Sequence, residues 1–314
     1  VMGHRLPDAD SFGAAIGIYR AAKTLNKKAY IVIDNPTSSI IPLMNTFRDN
    51  QDYEADMFVN NHEAKEIMDD NTLLVVVDTN KPSITQCEDL LYMAKMIVVL
   101  DHHRQGSDTI RNSVLSYIEP YASSASEMVA EILQYFTEGI RIRNVEADSI
   151  YAGIMIDTDN FMQKTGVRTF EAAAFLRRCG ADVTRVRKLF REDMNDYKAR
   201  GETIRNAELF RGQFAISECP SDYVDSPTVV GAQAANELLN IVGVKASFVL
   251  TEYKGVIYIS ARAIDEVNVQ IIMERMGGGG HLNMAGCQLE TVNMEGARNL
   301  LKSTLTEMQD GGEI

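Results

Sequence analysis

The sequence predicts an α/β protein in which an N-terminal parallel sheet is flanked by helices and a smaller α/β domain follows. Short, continuously apolar segments such as 72–78 and 96–101 alternate with segments of helical periodicity. That alternation is typical of parallel strands covered on both faces by helices. The chain of 314 residues is long enough for two domains. Near residue 208 its pattern changes from a run of helices to strands and a hairpin.

In the N-terminal part, apolar segments predict strands, and apolar residues at helical spacing predict helices. Ser124 with Glu127 predicts a capping box at the start of one helix, and Gly180 marks the end of another. The predicted strands are 1–3, 29–33, 72–78 and 96–101, and the predicted helices are 11–25, 38–47, 124–136, 145–156, 170–179, 183–191 and 194–206.

In the C-terminal part, the clearest prediction is a hairpin in which Lys254 and Gly255 join two strands. The predicted strands are 214–217, 246–253, 256–263 and 286–290, and the predicted helices are 231–240, 268–276 and 295–308. We expect domains over 1–192 and 211–314, joined by a linker over 193–210.

Composition limits the classes of partner. The formal net charge of −13 argues against a long nucleic-acid partner, which requires a basic surface, but not against a small anionic substrate. Four scattered cysteines without a CxxC pair indicate reduced thiols in the cytoplasm rather than disulfides or a zinc site. Because no run of ~18 apolar residues occurs, we expect this portion to make no membrane contact. The first residue is not Met, which suggests a piece of a longer protein.

Acidic and imidazole side chains gather where predicted strands or helices end. Open α/β sheets bind ligands at the carboxyl ends of their strands. Each acid alone could be a helix cap, and Asp10 or Ser11 could cap the helix that follows. Three strands that end in such residues at one sheet edge favour a metal site, because crowded carboxylates repel one another unless cations lie between them. The residues concerned are His4, Asp8, Asp10, Asp78, Asp101, His102, His103 and Asp157.

These ligand types also predict the metal and the chemistry. A mixed imidazole and carboxylate set without thiolate favours Mn²⁺, with Mg²⁺ second. The number of groups exceeds what one ion needs and favours two ions about 3.5–4 Å apart, bridged by one carboxylate. Such a pair activates water and holds the oxygens of a phosphoryl centre, which is phosphoester hydrolysis without a covalent intermediate. A serine-based triad is disfavoured because no nucleophile elbow surrounds Ser11.

A second signal is the segment 277–281, four glycines followed by His281. Consecutive glycines let a backbone approach an anion and present N–H groups to it, and His281 adds a donor. Arg262, at the end of a predicted strand, is a candidate for bidentate phosphate binding. The alternatives are a flexible link for the glycines and an ordinary surface position for the arginine.

An ordered set of motifs resembles those of the DHH phosphoesterase family. The motifs are HRLPDAD, VVVD, LDHH and MIDTDNF, and the later GGGGH resembles the hallmark of the DHHA1 domain. Longer segments such as MGHRLPDADSFGAAIG and SARAIDEVNVQ are similar to the catalytic portion of GdpP-type (YybT-type) cyclic di-AMP phosphodiesterases. Ala9 and Ala263 depart from residues common in that group, and neither is a candidate metal ligand.

The resemblance implies an N-terminal DHH domain, a C-terminal DHHA1 domain and a role for each motif residue. His103 would be catalytic and face the scissile phosphate, with Asp101 just outside the metal ligands. One metal would be held by His4, Asp8 and Asp78, and the second by Asp10, Asp78, His102 and Asp157, with Asp78 bridging. Substrate binding would fall to Arg262, Gly278, Gly279, Gly280 and His281.

We therefore expect a metal-dependent phosphodiesterase that hydrolyses cyclic di-AMP to linear 5′-pApA through a metal-bridging hydroxide. The alternative is a DHH–DHHA1 enzyme that trims short oligonucleotides or dephosphorylates pAp. A catalytically inactive nucleotide sensor is disfavoured because every ligand position is filled. The resemblance further implies a homodimer and, in a longer protein, membrane helices that anchor this cytoplasmic portion. The preference for adenine rests on the resemblance alone.

Overall fold

The computed structural model of the chain describes residues 1–191, 193–264 and 267–314. Contacts between residues divide the chain into two units, Val1–Arg191 and Glu192–Ile314. Each unit combines helices with strands, so the predicted α/β class is confirmed. The range 193–210, predicted as a linker, contains a helix that belongs to the second unit by its contacts. The predicted domain limits stay predictions.

The first unit is built on parallel strands. They are β1 (Ile31–Val32), β2 (Phe58–Val59), β3 (Leu73–Val77), β4 (Met96–Asp101) and β5 (Leu115–Ile118). β1 pairs with β2, while β3, β4 and β5 pair in that order, and every pair is parallel. Met2 bridges to Val32 and to Val76, so the opening segment lies between β1 and β3. The predicted strands 72–78 and 96–101 are confirmed, whereas residues 1–3 contribute one bridged position at Met2.

Helices cover both faces of these strands. They are α1 (Ala9–Thr24), α2 (Ile41–Arg48), α3 (Asn61–Ile67), α4 (Asp89–Met93), α5 (Ala125–Phe136), α6 (Asn144–Asp157), α7 (Val167–Arg178) and α8 (Val183–Leu189), with a 3₁₀ turn over Pro82–Ile84. Val75 and Val77 pack into a core with α1, α5 and α6. Leu74 and Val76, which point to the opposite face, pack with α3 and α4. Burial on both faces explains why β3 is apolar throughout.

Close packing of α1 against α5 and α6 depends on a glycine. A Cβ at Gly153 of α6 would lie 2.9 Å from the Cα atom of Asp10 and 2.2 Å from Oγ of Ser126. Only a residue without a side chain leaves room for the three helices to meet there. Asp10, at the start of α1, and Asp157, at the end of α6, are brought into one region by this packing.

The second unit is a mixed sheet with helices on both faces. Its elements are α9 (Met194–Arg205), β6 (Glu208–Phe210), β7 (Phe214–Cys219), α10 (Pro227–Leu238), β8 (Ala246–Tyr253), β9 (Val256–Ala263), α11 (Val269–Arg275), β10 (Gly279–His281), β11 (Met284–Leu289) and α12 (Met294–Asp310). The strand order is β10-β11-β9-β8-β7-β6. Only β7 and β8 pair in parallel, and the hairpin β8–β9 has the predicted limits.

The two faces of this sheet are covered differently. Ile259 and Cys287, directly opposite each other in the β9–β11 register, point into a core with α11 and α12. Val249 of β8 points to the other face and packs with α9 and α10. On that same face, β9 and β11 carry Tyr258, Ser260, Arg262, Gly286 and Gln288, as the strand alternation and the register require.

Several elements differ from the sequence predictions. β10 occupies part of the glycine segment, which is therefore not a flexible link over Gly279–His281. α10 begins at Pro227 rather than at residue 231, and proline is well suited to the first turn of a helix. Strands β2, β5 and β6 were not predicted. None of the helices in the described part of the chain is long and apolar enough to cross a membrane.

Candidate metal centre

The predicted ligands come together at the carboxyl ends of the parallel strands of the first unit. Asp78 directly follows β3, and His102 directly follows β4. His4 comes two residues after the bridged position Met2, and Asp8 is the N-cap residue of α1. Asp10 lies in the first turn of α1 and Asp157 is the last residue of α6. The chain thus supplies ligand atoms from strand ends and from two helix ends at one place.

Asp78 lies at the centre of this cluster. Its Oδ2 atom is 3.3 Å from Nε2 of His4, and its Oδ1 atom is 3.3 Å from Nε2 of His102. The residue is buried, and no group among the described residues forms a hydrogen bond with Oδ1. Its φ of 59° is left-handed, which is uncommon for a residue other than glycine and is typical of functional sites. A buried carboxylate oxygen without a hydrogen bond is suited to a cation.

Among the residues that the structure describes, three groups of side chains bring metal-binding atoms within 4.8 Å of one another. They are His4 with Asp8 and Asp78, Asp10 with His102 and Asp157, and Asp78 with His102 and His103. In the first group, Nε2 of His4 lies 3.6 Å from Oδ2 of Asp8. In the second, Nε2 of His102 lies 3.7 Å from Oδ2 of Asp10 and 3.6 Å from Oδ2 of Asp157. All six predicted metal ligands meet here, and their role as ligands stays a prediction.

The two imidazoles are surrounded by negative charge. Burial by itself lowers the pKa of His4, but the neighbouring carboxylates of Asp78 and Asp8 outweigh it and raise the pKa to about 10. Burial also lowers the pKa of His102, but the neighbouring carboxylates of Asp78, Asp10 and Asp157 outweigh burial and raise the pKa to about 9. The raised pKa values mean that the surrounding carboxylates favour a positive charge at the positions of the two imidazoles.

Among the carboxylates, the ionised form of Asp78 is stabilised by its surroundings, whereas the ionised forms of Asp157 and Asp10 are destabilised. Burial raises the pKa of Asp78, but the imidazoles of His102 and His4, each 3.3 Å from one of its carboxylate oxygens, outweigh burial and lower the pKa to about 2. Burial, followed by the charges of Asp78 and Asp8, raises the pKa of Asp157 to about 6. Burial and the charges of Asp78 and Asp157 also raise the pKa of Asp10. Several negative charges are therefore held together at a cost that bound cations would offset.

Two of these aspartates also bind helix N-termini. Asp8 is the cap of α1, because its Oδ1 accepts a hydrogen bond of 2.9 Å from the backbone N–H of Ser11. The alternative interpretation, in which Asp10 or Ser11 caps α1, is therefore wrong. Asp10 instead accepts hydrogen bonds of 2.7 Å from the backbone N–H groups of Ala125 and Ser126 at the start of α5. These bonds fix both carboxylates in position.

A series of hydrogen bonds holds the side chain of His103 in position. Asp101 is fully buried, and its Oδ1 lies 2.8 Å from Nδ1 of His103. Oδ2 of Asp101 accepts a hydrogen bond of 2.5 Å from Nδ2 of Asn80. The same amide donates to the backbone carbonyl of His103 at 3.3 Å. Asp101 thus fixes the orientation of the imidazole, and Nε2 is the ring nitrogen left to meet a substrate.

Asn80 is a site residue that sequence reasoning missed. It is buried and lies two residues after Asp78, in the sequence VDTN. A buried amide needs hydrogen-bond partners, and it finds them on Asp101 and His103. The only signal in the sequence was its position next to Asp78, since its partners lie more than twenty residues further on.

In the second unit, two of the predicted substrate-binding residues, Arg262 and His281, lie on one row of the sheet. His281 lies opposite Met284, and Met284 lies opposite Arg262. Arg262 donates from Nη1 to the carbonyl of Ala261, while its buried Nε has no hydrogen-bond partner among the described residues. Burial lowers the pKa of Arg262. A partly buried guanidinium with an unused donor is suited to an anion.

The glycines of this segment also have a structural task. A Cβ at Gly278 would lie 2.1 Å from the carbonyl oxygen of Gly286, and one at Gly280 would lie 2.5 Å from the carbonyl oxygen of Met284. Gly280 has a φ of 150°. Close approach of β10 to β11 therefore requires glycine here, whether or not an anion binds.

Family models match both units of the chain. The model of the DHH family, N-terminal domain, matches residues 1–154, and the model of the DHHA1 domain matches residues 214–307. The chain belongs to the DHH/DHHA1 family. We therefore refer to Val1–Arg191 as the DHH unit and to Glu192–Ile314 as the DHHA1 unit.

Named relatives agree with this assignment. The chain is 42% identical to the cyclic-di-AMP phosphodiesterase GdpP of Bacillus subtilis over 99% of its own length, and it spans 48% of that protein. It is 25% identical to the bifunctional oligoribonuclease and PAP phosphatase NrnA of Thermus thermophilus, over 99% of this chain and 90% of that protein. The chain spans about half the length of the Bacillus relative.

A solved structure supports the fold. An exopolyphosphatase-related protein from Bacteroides fragilis superposes with a TM-score of 0.78, at 21% sequence identity, over 98% of this chain and 91% of that one. At this identity the likeness shows the DHH/DHHA1 fold alone.

Proposed function

We propose that this chain hydrolyses cyclic di-AMP to linear 5′-pApA with the help of two divalent cations bound in the DHH unit. The observation that carries the proposal is the cluster of six ligand side chains around buried Asp78, in a chain 42% identical to a cyclic-di-AMP phosphodiesterase. The cluster supports a metal-dependent hydrolase, and the relative supports the substrate.

The ligand types and their charges fit a pair of cations, with Mn²⁺ favoured because oxygen and imidazole ligands are present without thiolate. His4, Asp8 and Asp78 would hold one ion, and Asp10, Asp78, His102 and Asp157 the other. When bound, such ions supply Lewis-acid activation of water and stabilise charge on the phosphoryl oxygens. The unpartnered Oδ1 of Asp78 and the raised pKa values of Asp10 and Asp157 are the observations in favour of this fit.

The residues of the chain would then orient the substrate and move protons. Asp101 holds Nδ1 of His103, so that Nε2 is the ring nitrogen that would face the scissile phosphate. Cleavage of the bond between phosphorus and the 3′-oxygen leaves the phosphate on the 5′-oxygen, and that gives pApA. In the DHHA1 unit, Arg262 and the segment from Gly278 to His281 would bind phosphate, which would use the free Nε donor of Arg262.

The second candidate function is cleavage of short oligonucleotides and of pAp. It is supported by the relative from Thermus thermophilus, of which the chain spans 90%. The chemistry at the metal centre is the same in both cases, so only the substrates distinguish them. The higher identity to the Bacillus protein favours cyclic di-AMP.

The test is hydrolysis with Mn²⁺ of cyclic di-AMP, cyclic di-GMP, pApA and pAp in parallel, followed by chromatography. We expect fast conversion of cyclic di-AMP that stops at pApA. Asp78→Ala should lower kcat/KM by at least about 10³-fold, because both ions lose a ligand, while Asp56→Ala, in an exposed turn, is the control. Preferential breakdown of pApA or pAp would support the second function instead. Full activity of Asp78→Ala would overturn the metal centre.

A further inference from the structure

A crevice on the DHHA1 unit lies beside the segment to which the proposed mechanism assigns phosphate binding, and its other lining residues have no role in that mechanism. Its volume is about 510 Å³. Strands β9 and β11 form its floor, the first turn of α10 forms one wall, and the glycine segment forms another. Its principal lining residues are Thr228, Tyr258, Ser260, Gly278, Gly286 and Gln288.

The register of the strands determines which side chains line this crevice. Gln288 of β11 lies directly opposite Tyr258 of β9, and Gly286 lies directly opposite Ser260. Residues paired in this way point to the same face of a sheet. The half-buried Tyr258 ring and the exposed Gln288 amide therefore stand side by side. Next to them, Gly286 leaves the backbone bare, which makes room for a flat group.

The crevice borders the candidate phosphate site, because Gly278 lines the crevice and belongs to the segment that would bind phosphate. Arg262 is on the same strand and the same face as Tyr258, four residues further along β9. At ~3.3 Å per residue the two Cα atoms are separated by about 13 Å. A nucleotide whose phosphate meets Arg262 can therefore place its base in the crevice.

We propose that this crevice binds an adenine base of the substrate, with Tyr258 stacked on the ring and Gln288 reading its edge. The inference rests on the proposed function, since it names the group that selects the substrate. An aromatic face is a general platform for bases. A glutamine amide accepts from N6 and donates to N7 of adenine, whereas guanine presents two acceptors, O6 and N7, at the same positions. Gln288 would therefore favour adenine over guanine.

The first test measures kcat/KM for cyclic di-AMP and cyclic di-GMP on the full chain with Mn²⁺. In Gln288→Ala we expect the preference for adenine to fall roughly tenfold, which is about 1.4 kcal/mol. Gln51→Ala, at an exposed turn of the DHH unit, is the matched control. An unchanged preference in Gln288→Ala, with cyclic di-AMP still hydrolysed by the wild type, would overturn the inference and leave the proposed function intact.

Tyr258 is tested separately through its ring. Tyr258→Ala should raise KM for cyclic di-AMP roughly tenfold, because stacking is lost, while Tyr258→Phe, which keeps the ring, should retain wild-type KM. A KM in Tyr258→Phe as high as in Tyr258→Ala would contradict stacking. Thermal melting of each variant identifies one that fails to fold.

A second test needs neither turnover nor a variant. The wild-type chain, freed of metal, is irradiated with 8-azidoadenosine 5′-monophosphate, and labelled peptides are identified by mass spectrometry. We expect label in 256–263 or 284–289, reduced by an excess of AMP more than by GMP. Label confined to other segments would overturn the inference. If the wild type does not hydrolyse cyclic di-AMP, the proposed function fails, and the labelling still decides whether the crevice binds adenine.

Discussion

Asp157 illustrates how the charges of single residues prepare this site for cations. Burial and the charges of Asp78 and Asp8 raise its pKa to about 6. A carboxyl whose pKa is raised on folding contributes its full stability only below its unfolded value, and loses it as the pH rises through the folded value. In metal-free protein, the penalty from Asp157 should therefore appear between about pH 4 and pH 6.

We predict that Asp157→Asn makes the metal-free protein more stable above pH 6, by about 3 kcal/mol, with no difference near pH 4. The neutral amide removes the repulsion and nearly preserves the shape of the side chain. Urea unfolding across this pH range measures the effect, and Asp159→Asn, on the exposed neighbour, is the control. Mn²⁺ should stabilise the wild type more than the variant. A variant less stable than the wild type at pH 8 without metal would contradict the prediction.

Asn80 is the residue through which His103 is positioned. The Asn80 amide donates a hydrogen bond to Oδ2 of Asp101, and Oδ1 of Asp101 is hydrogen-bonded to Nδ1 of His103. We predict that Asn80→Ala lowers kcat by roughly 10- to 100-fold, the range typical of groups that orient a reactive residue, with little change in KM or in bound metal. Asn80→Asp should be at least as damaging, because a second carboxylate would repel Asp101.

The control for Asn80 is Asn45→Ala, at an exposed position of α2. Kinetics with metal analysis separate the possibilities. A rise in KM together with loss of metal from Asn80→Ala would mean that Asn80 supports the fold of the whole centre and does not specifically orient His103.

At the residue scale, the sequence predicted which acidic and imidazole side chains gather at this site better than it predicted the contacts that position them. His4, Asp78 and His102 follow apolar segments, and that position is visible without a structure. The partners of Asp10 are backbone N–H groups more than a hundred residues away in sequence, and those of Asn80 are more than twenty away. Contacts over such separations depend on how the helices pack, and a pattern of neighbouring residues in the sequence does not predict that packing.

At the scale of elements, the meeting of α1, α5 and α6 determines the position of Asp10. Gly153 leaves no room for a side chain, since its Cβ would lie 2.9 Å from the Cα atom of Asp10. We predict that Gly153→Ala lowers the free energy of unfolding by about 1–3 kcal/mol, as overpacking does, and weakens Mn²⁺ binding because α1 must shift.

Thermal unfolding and calorimetric titration with Mn²⁺ measure the two effects of Gly153→Ala. Gly201→Ala is the control, because a Cβ at that position of α9 meets nothing within 4 Å. Alanine there should be neutral or stabilising, since alanine is the better helix former by about 1 kcal/mol. If Gly153→Ala were as stable as the wild type, α1, α5 and α6 would be able to accommodate the added methyl group, and the prediction would be wrong.

The same scale explains which elements the sequence could predict. β3, β4 and the β8–β9 hairpin are long enough to show continuous burial or alternation. β1 and β2 have two residues each, and β10 consists of two glycines and a histidine, so neither hydrophobic period nor strand propensity could reveal most of them. Their strand geometry comes from pairing with neighbours rather than from their own residues.

For the whole molecule, the DHH and DHHA1 units each have their own hydrophobic clusters. One cluster of the DHH unit joins α1, α5 and α6 to the sheet, and the largest cluster of the DHHA1 unit joins α11 and α12 to β7, β8 and β9. The candidate metal ligands all belong to the DHH unit, whereas the proposed adenine crevice belongs to the DHHA1 unit. Ligands that bind one folded unit stabilise that unit by mass action.

We therefore predict that calorimetry of the full chain resolves two transitions, and that Mn²⁺ raises only one of them. At a concentration one hundred times its dissociation constant, the ion should add about 2.7 kcal/mol to the DHH unit. Gly153→Ala identifies the DHH transition, because it lowers that transition alone. AMP should raise the other transition if the crevice binds adenine. Equal shifts of both transitions with Mn²⁺ would mean that the two units unfold as one, and that the charge cluster of the DHH unit is coupled to the stability of the entire chain.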